Sequence, residues 1–469
     1  MPSGKSIWRS LLLSRVLGSL LAIGIGLCAA GCAVVRSYDH ELNGTLEQAS
    51  LGSVDSAIRL LDASNPERTG LLYQLELGML QRLGNRYGES QKAWSAASTG
   101  IQAAQAAGPF DLAKLMGAAG SYVVSDKLRV YQPHDYEQVL LLTYMALNYL
   151  AMGDFDRARV AIKQTHELEA EIAAARERQV AEVREQASRR GARSSFKELS
   201  GYPIETLDNP EVNSLRNSYQ SALAHYLAGF IYEALGEPSL AAPGYRLANE
   251  LQPEQPVLEE ALAGLDERLA APDDGMTDVL LVVGTGSAPA LQSRQFNAPL
   301  IVNNRMVFVP VAFPVLTRSA PSPAVQLVVD GRNLALAPLT SIDLMARRSL
   351  HDDMPMIMLR ATVRSTTSAA LQYQAQSGRN DGGVALAAAL IGFGIAALSS
   401  ADDRTWRALP SELAIARTRL PRGEHKVLLQ SLEGQQEVPI SLSGRYAVVD
   451  FRLLRRQVFV CAPKATDAR

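Results

Sequence analysis

Cysteine, excess basic charge and catalytic motifs are all scarce in this sequence. Three cysteines in 469 residues are too few for a disulfide framework, so the fold must hold by packing. Lysine and arginine total 46 against 48 acidic residues, a net charge of −2. That balance is a poor match for nucleic acid, which calls for basic patches. The six histidines are scattered. There is no Walker lysine motif, no His-Glu-x-x-His and no Gly-x-Ser-x-Gly elbow. Gly284-Thr285-Gly286 follows a strand pattern but lacks the third glycine of a dinucleotide loop, and Pro289 opposes a helix start there, so a tight turn is expected. His351-Asp352-Asp353 reads as a solvated loop before it reads as part of a metal site. No catalytic residue, cofactor or metal ligand is assigned.

What is present begins at the N terminus. Lys5, Arg9 and Arg15 precede an apolar core from Val16 to Leu27, and the small residues Ala29-Ala30-Gly31 then lead to Cys32. This is the pattern of an export signal, and its end resembles a lipobox, with Ala29 where leucine is usual. Residues 1–31 are expected to be removed and the Cys32 thiol to carry diacylglycerol. Several acyl chains anchor firmly where one does not. The alternative is an uncleaved inner-membrane signal anchor, since Val16 to Val35 is uncharged and long enough to span a bilayer. Either way the bulk of the chain lies beyond the inner membrane, because the positive residues stay cytoplasmic. Ala33 after the cysteine implies, by lipoprotein sorting rules, the periplasmic side of the outer membrane. Removing the three positive charges of the signal from −2 leaves −5. Cys28 leaves with the signal, so Cys461 is the one free thiol, either buried or pairing between molecules.

Residues 32–271 carry a period near 34 residues, four times over. The fullest copy is Ala228-Gly229-Phe230-Ile231-Tyr232-Glu233-Ala234-Leu235-Gly236, followed by Ala241, Tyr245, Ala248 and Pro253. This spacing is that of the tetratricopeptide repeat. Small residues let two antiparallel helices approach, and large ones fill the space beside them. Ala146, Tyr149, Gly153 and Ala158 mark a second copy. Gly78, Tyr87, Trp94 and Ala97 mark a third, and Gly52, Val54, Ala57 and Leu61 a weak first. Turns are expected at Gly52, Asn85, Gly153 and Gly236. A degenerate segment spans roughly 103–133, and an insertion near 168–216 contains a long solvated helix. Stacked helix pairs form a concave face lined by their first helices. Met79, Arg82, Leu147, Tyr226, Phe230 and Glu233 are therefore the expected partner-binding residues, in a mainly apolar groove suited to a peptide or helix.

Pro272-Asp273-Asp274-Gly275 ends the helical pattern. Residues 276–469 read as a mostly antiparallel, sandwich-like β domain, with strands near Val279–Val283, Arg305–Ala312, Val325–Val329, His425–Leu429, Glu437–Ser441, Tyr446–Phe451 and Gln457–Cys461. A helical insertion occupies about 341–400, interrupted near Pro355. Within it Val384–Leu398 is apolar but short for a bilayer span, and reads as a buried helix. Trp406 and Leu409 are expected to pin their segment to the β domain. The fold class is thus α+β: an α-solenoid of tetratricopeptide-like helix pairs followed by the β domain.

Asp402-Asp403-Arg404-Thr405-Trp406-Arg407-Ala408-Leu409-Pro410, with Gly284–Pro289 and Ala312-Phe313-Pro314, resembles a family of Gram-negative envelope lipoproteins carrying such repeats and a C-terminal β domain. The resemblance implies the same architecture and brings no activity or site residue with it. The expected function is a non-catalytic protein-interaction scaffold in envelope assembly or maintenance, with the membrane and an envelope protein as partners. The alternative is an enzyme or glycan-binding protein acting on cell-wall polymer through the β domain, with acidic residues gathered in one cleft beside His351 or Asp403.

Overall fold

The computed structural model describes residues 37–65, 68–106, 131–190, 197, 201–302, 305–317, 324–377 and 400–463. Cys32 and its signal, most of the 103–133 segment and the apolar run 384–398 lie outside the described residues. The chain is α+β, with the helical region first and the β region second.

Four helix hairpins come first: α1 (Tyr38–Ser50) with α2 (Val54–Ser64), α3 (Leu71–Leu83) with α4 (Tyr87–Ala106), α5 (Asp135–Ala151) with α6 (Phe155–Arg190), and α8 (Ala222–Ala234) with α9 (Pro238–Leu251). The short α7 (Pro210–Ser214) precedes α8, and α10 (Pro256–Ala263) and α11 (Leu265–Ala270) close the series. Each hairpin turn contains a residue in the left-handed region: Gly52 (φ 80°), Asn85 (φ 55°), Gly153 (φ 75°) and Gly236 (φ 72°). Glycine, and to a lesser extent asparagine, take this conformation at low cost and stop a helix.

Close approach within hairpins rests on glycine. A Cβ at Gly78 would lie 2.1 Å from Trp94 Nε1, and one at Gly229 would lie 2.5 Å from Tyr245 Cδ1. At Gly244 it would meet backbone, 2.7 Å from Gly229 N and 2.8 Å from His225 O. Backbone cannot turn aside as a side chain can. Gly244→Ala should therefore force α8 and α9 apart and cost about 1–3 kcal/mol. Gly88→Ala, where a Cβ meets nothing within 4 Å, should be neutral or slightly stabilising. Urea midpoints of the two variants check this, and equal midpoints would contradict the packing.

The β region comprises β1 (Met276–Thr285), β2 (Leu291–Val302), β3 (Arg305–Leu316), β4 (Gln326–Val329), β5 (Arg332–Leu334), β6 (Ala337–Ser341), β7 (Glu412–Pro421), β8 (Gly423–Ser431), β9 (Gly434–Leu442), β10 (Tyr446–Leu454) and β11 (Gln457–Cys461). Helix α12 (Ile342–Ser377) lies between β6 and β7. One sheet has the order β11-β10-β1-β7-β6 and a second the order β5-β4-β8-β9, while β2 and β3 pair alone. All neighbours are antiparallel except β1 and β10. Strand β1 is buried on both faces. Leu280 and Val282 join the core shared with the helices, and Val279, Leu281 and Val283 join the core shared with the second sheet. The molecule is therefore layered as helices, five-stranded sheet and four-stranded sheet.

Three local expectations are corrected. Pro355 does not interrupt α12, which runs through it; the buried Leu350, Met354, Met358 and Leu359 carry the helix across the missing N–H. His351, Asp352 and Asp353 accordingly lie on a helix, not in a loop. Trp406 packs on the helical layer, 6.0 Å from Trp94 and 6.3 Å from Tyr144, because their rings meet edge to face in one cluster.

Candidate functional site

The first helices of the second, third and fourth hairpins face the chain's own β region. The six residues expected to line an open groove are buried there: Met79, Arg82, Leu147, Tyr226, Phe230 and Glu233 are each at most 2 % exposed. The groove is filled from within, by the five-stranded sheet and by residues 404–409. This corrects the reading of those positions as a free partner surface.

Each first helix contributes a buried carboxylate to this contact. Glu76 of α3 accepts the N–H groups of Arg407 (2.7 Å) and Ala408 (3.0 Å) and the Tyr38 hydroxyl (3.3 Å). Glu137 of α5 accepts Trp406 N–H at 2.6 Å and the Thr405 hydroxyl at 2.9 Å, with Tyr136 at 3.4 Å. Its other oxygen accepts His134 N–H at 2.9 Å and the Tyr131 hydroxyl. Glu233 of α8 receives Arg417 of β7 at 2.7 Å, Arg268 at 2.7 Å and the Tyr245 hydroxyl at 2.6 Å. Arg417 also forks onto Asp278 of β1, at 2.9 and 2.7 Å. Its guanidinium lies 5.0 Å from the Phe230 ring centroid, and Phe230 meets Tyr446 edge to face.

Arg82 has the fourth such role. It donates to Asn148 at 2.5 Å and to Asp450 of β10 at 2.7 Å, with the rings of Tyr87 and Tyr144 within 6 Å. Asp450 and neighbouring groups hold its pKa above the ordinary arginine value, against the lowering effect of burial. Arg452, two residues on, is buried and donates only to carbonyls, those of Gly284, Leu453 and Ala408. Burial pulls its pKa down to about 10. Cys461 is 1 % exposed and burial pushes its thiol up to about 11. The thiol faces Arg82 O at 3.7 Å, which corrects the option of pairing between molecules.

Desolvation dominates at Glu76 and pushes its carboxyl from 4.5 up to about 8, against the lowering effect of the two backbone donors and Arg407. A carboxyl raised in the fold stabilises while protonated. That contribution is full below the ordinary 4.5 and is lost as pH rises through about 8. Glu76→Gln carries no charge and should remove this part of the decline. Thermal melts of both chains across that window check it, and parallel profiles would exclude Glu76 as the source.

Glu76 and Glu137 are not singled out by the sequence as site residues; Glu76 stands as a lone carboxylate among apolar neighbours on a helix, whereas Glu137 shares the first turn of α5 with Asp135 and carries no such mark. Among the described residues no group of three His, Cys, Asp or Glu is placed to hold a metal. His351 pairs with Asp352 at 3.0 Å, Asp353 with Arg176, and Asp403 accepts Tyr38 N–H at 3.2 Å. No described helix is long and apolar enough to cross a membrane. An open cleft of about 490 Å³ lies where the α1–α2 turn faces β11, lined by Gly52, Val54, Asp55, Leu83, Arg86 and Phe459 among others. No protein-family model, curated protein or solved structure matches the chain.

Proposed function

We propose that the chain is a lipid-tethered periplasmic scaffold on the outer membrane, in which tetratricopeptide-like hairpins clamp a β unit and present it to an envelope protein partner. The repeat reading is supported by the left-handed residue at each of four turns and by the glycine–aromatic contacts inside the hairpins. The carrying observation for the scaffold is the buried polar contact: Glu76, Glu137, Glu233 and Arg82 all bind groups of the β region. Their binding capacity is used within the chain. A partner then meets the outer surfaces of the helices or the sheets, not the concave face. The tether confines that surface near the membrane and raises the effective concentration for partners held there.

Two experiments test the proposal. Cys32→Ser should abolish acylation and leave the precursor uncleaved; normal processing would refute the tether. Site-directed crosslinking in intact envelopes should capture a common partner from outer positions such as Leu240, 49 % exposed, and none from Met79 or Phe230. Capture through the buried positions would return the partner to the concave face.

A further inference from the structure

His166 of α6 and His225 of α8 are distant in sequence and meet in the seam between the third and fourth hairpins. Their rings stack, with centroids 4.9 Å apart and planes 15° from parallel. Glu169, one turn along α6, brings Oε2 to 3.1 Å from His225 Nε2. The side chains of His225 and Glu169 are 3 % and 6 % exposed. His166 Nε2, His225 Nε2 and Glu169 Oε1 are buried and form no hydrogen bond among the described residues.

Three ionisable groups in one buried contact restrict the charge it can hold. With both rings neutral the cluster carries the carboxylate alone. One proton held between His225 and Glu169 makes an ion pair and brings the net charge to zero. A second would set two imidazolium rings face to face, and like charges out of water repel strongly. Burial and His225 accordingly hold the His166 pKa below its ordinary 6.5, with Glu169 acting against them. The charges around the cluster are otherwise engaged. Lys163 pairs with Glu167 at the surface of α6. Arg176 binds Asp135 of α5 and Asp353 of α12. Glu233 of α8 is held by Arg268 and Arg417. Glu250 of α9 lies 3.9 Å from Arg216, and Arg246 of α9 is exposed. Burial and Glu169 raise the pKa of Tyr219, which therefore stays neutral. Strand β6, packed on α8, has no charged residue.

Helix α8 cannot relieve the stack by retreating, because it is already pressed on α9: a Cβ at Gly244 would lie 2.8 Å from His225 O. Relief comes from separation of α6 and α8. We infer that the His166–His225–Glu169 cluster is a proton-sensitive seam, which holds the third and fourth hairpins together while it carries at most one proton and opens when acid supplies a second. The inference goes beyond the scaffold reading and needs neither the tether nor a partner. Once the seam opens, His166 returns to its ordinary 6.5, so opening takes up a proton that the closed stack refuses. The closed seam is fully favoured above 6.5 and loses that advantage as pH falls below it.

The test is hydrogen–deuterium exchange of the full chain from about pH 7.5 to about pH 5, with the protection of each peptide taken relative to its intrinsic rate. Peptides covering His166 and His225 should lose protection by up to about tenfold per pH unit below 6.5, the slope of one proton. The α3 peptide carrying Glu76 should lose none. His166→Phe keeps a ring on the stack and takes no proton, so the slope should vanish. Glu169→Gln removes the charge that admits the first proton, so the slope should steepen towards that of two protons, about a hundredfold per pH unit. An unchanged slope in either variant overturns the inference. So does an equal loss in every helix, which would be general acid unfolding. Zinc that raises protection of the same peptides at neutral pH, and fails to do so in His166→Phe, would make the cluster a metal site and overturn it as well.

Discussion

Glu137→Leu should destabilise the protein by about 3–5 kcal/mol, among the largest effects of any single substitution. The side chain is 0 % exposed and accepts from two groups of the 404–409 segment and from Tyr131, His134 and Tyr136 around the start of α5. Its loss leaves the buried Trp406 N–H without an acceptor and the Thr405 hydroxyl with Tyr136 in place of a carboxylate, and an orphaned buried group costs about 1–3 kcal/mol. Leucine fills similar volume, so the effect isolates polarity from packing. Glu137→Gln keeps one oxygen acceptor and should lose less. Urea denaturation orders the three chains. A Leu variant as stable as the original would show that the segment is held by apolar contact alone.

Trp406→Ala should cost a comparable amount, about 3–5 kcal/mol. Its ring is fully buried and meets Trp94 and Tyr144 edge to face. Removing it opens a cavity between the helical layer and the sheet, lined by groups that Gly78, Leu75 and Trp94 hold in place. Trp94 donates to Leu75 O at 3.1 Å, and a Cβ at Gly78 would collide with its ring, so Trp94 has little room to move into the void. Trp406→Phe should recover part of the loss. Isothermal urea titrations check both, and a loss below about 1 kcal/mol for alanine would mean the site collapses freely.

The parts of this architecture that were legible in the sequence are those set by neighbours along the chain. Asn85, Gly153 and Gly236 mark turns because left-handed backbone is a local demand, and the small-to-large pattern of Gly229 and Tyr245 follows from one hairpin. The destination of the concave face was not legible. Arg82 and Glu233 look in sequence like groove charges open to solvent. They are buried because Asp450 lies 368 positions from Arg82 and Arg417 lies 184 positions from Glu233, separations that no local pattern encodes. Strands β2, β5, β6 and β7 are not legible in the sequence, for a related reason. The β7 sequence Glu412–Pro421 carries Arg417 and Arg419, which blur its alternation until Asp278 and Asp274 are in place to receive them. Helix α12 continues through Pro355 because tertiary burial outweighs the local cost.

The central claim is that the helices and the sheet form one cooperative body, with the concave face occupied by the chain itself. Two of the three tryptophans, Trp94 and Trp406, lie 6.0 Å apart at that contact, and the third, Trp8, precedes Cys32. Tryptophan fluorescence of the chain from residue 32 onward therefore reports the contact, while circular dichroism at 222 nm reports the helices. The account predicts coincident urea transitions by the two probes. A fluorescence change completed at lower urea, with the helices still intact, would contradict it.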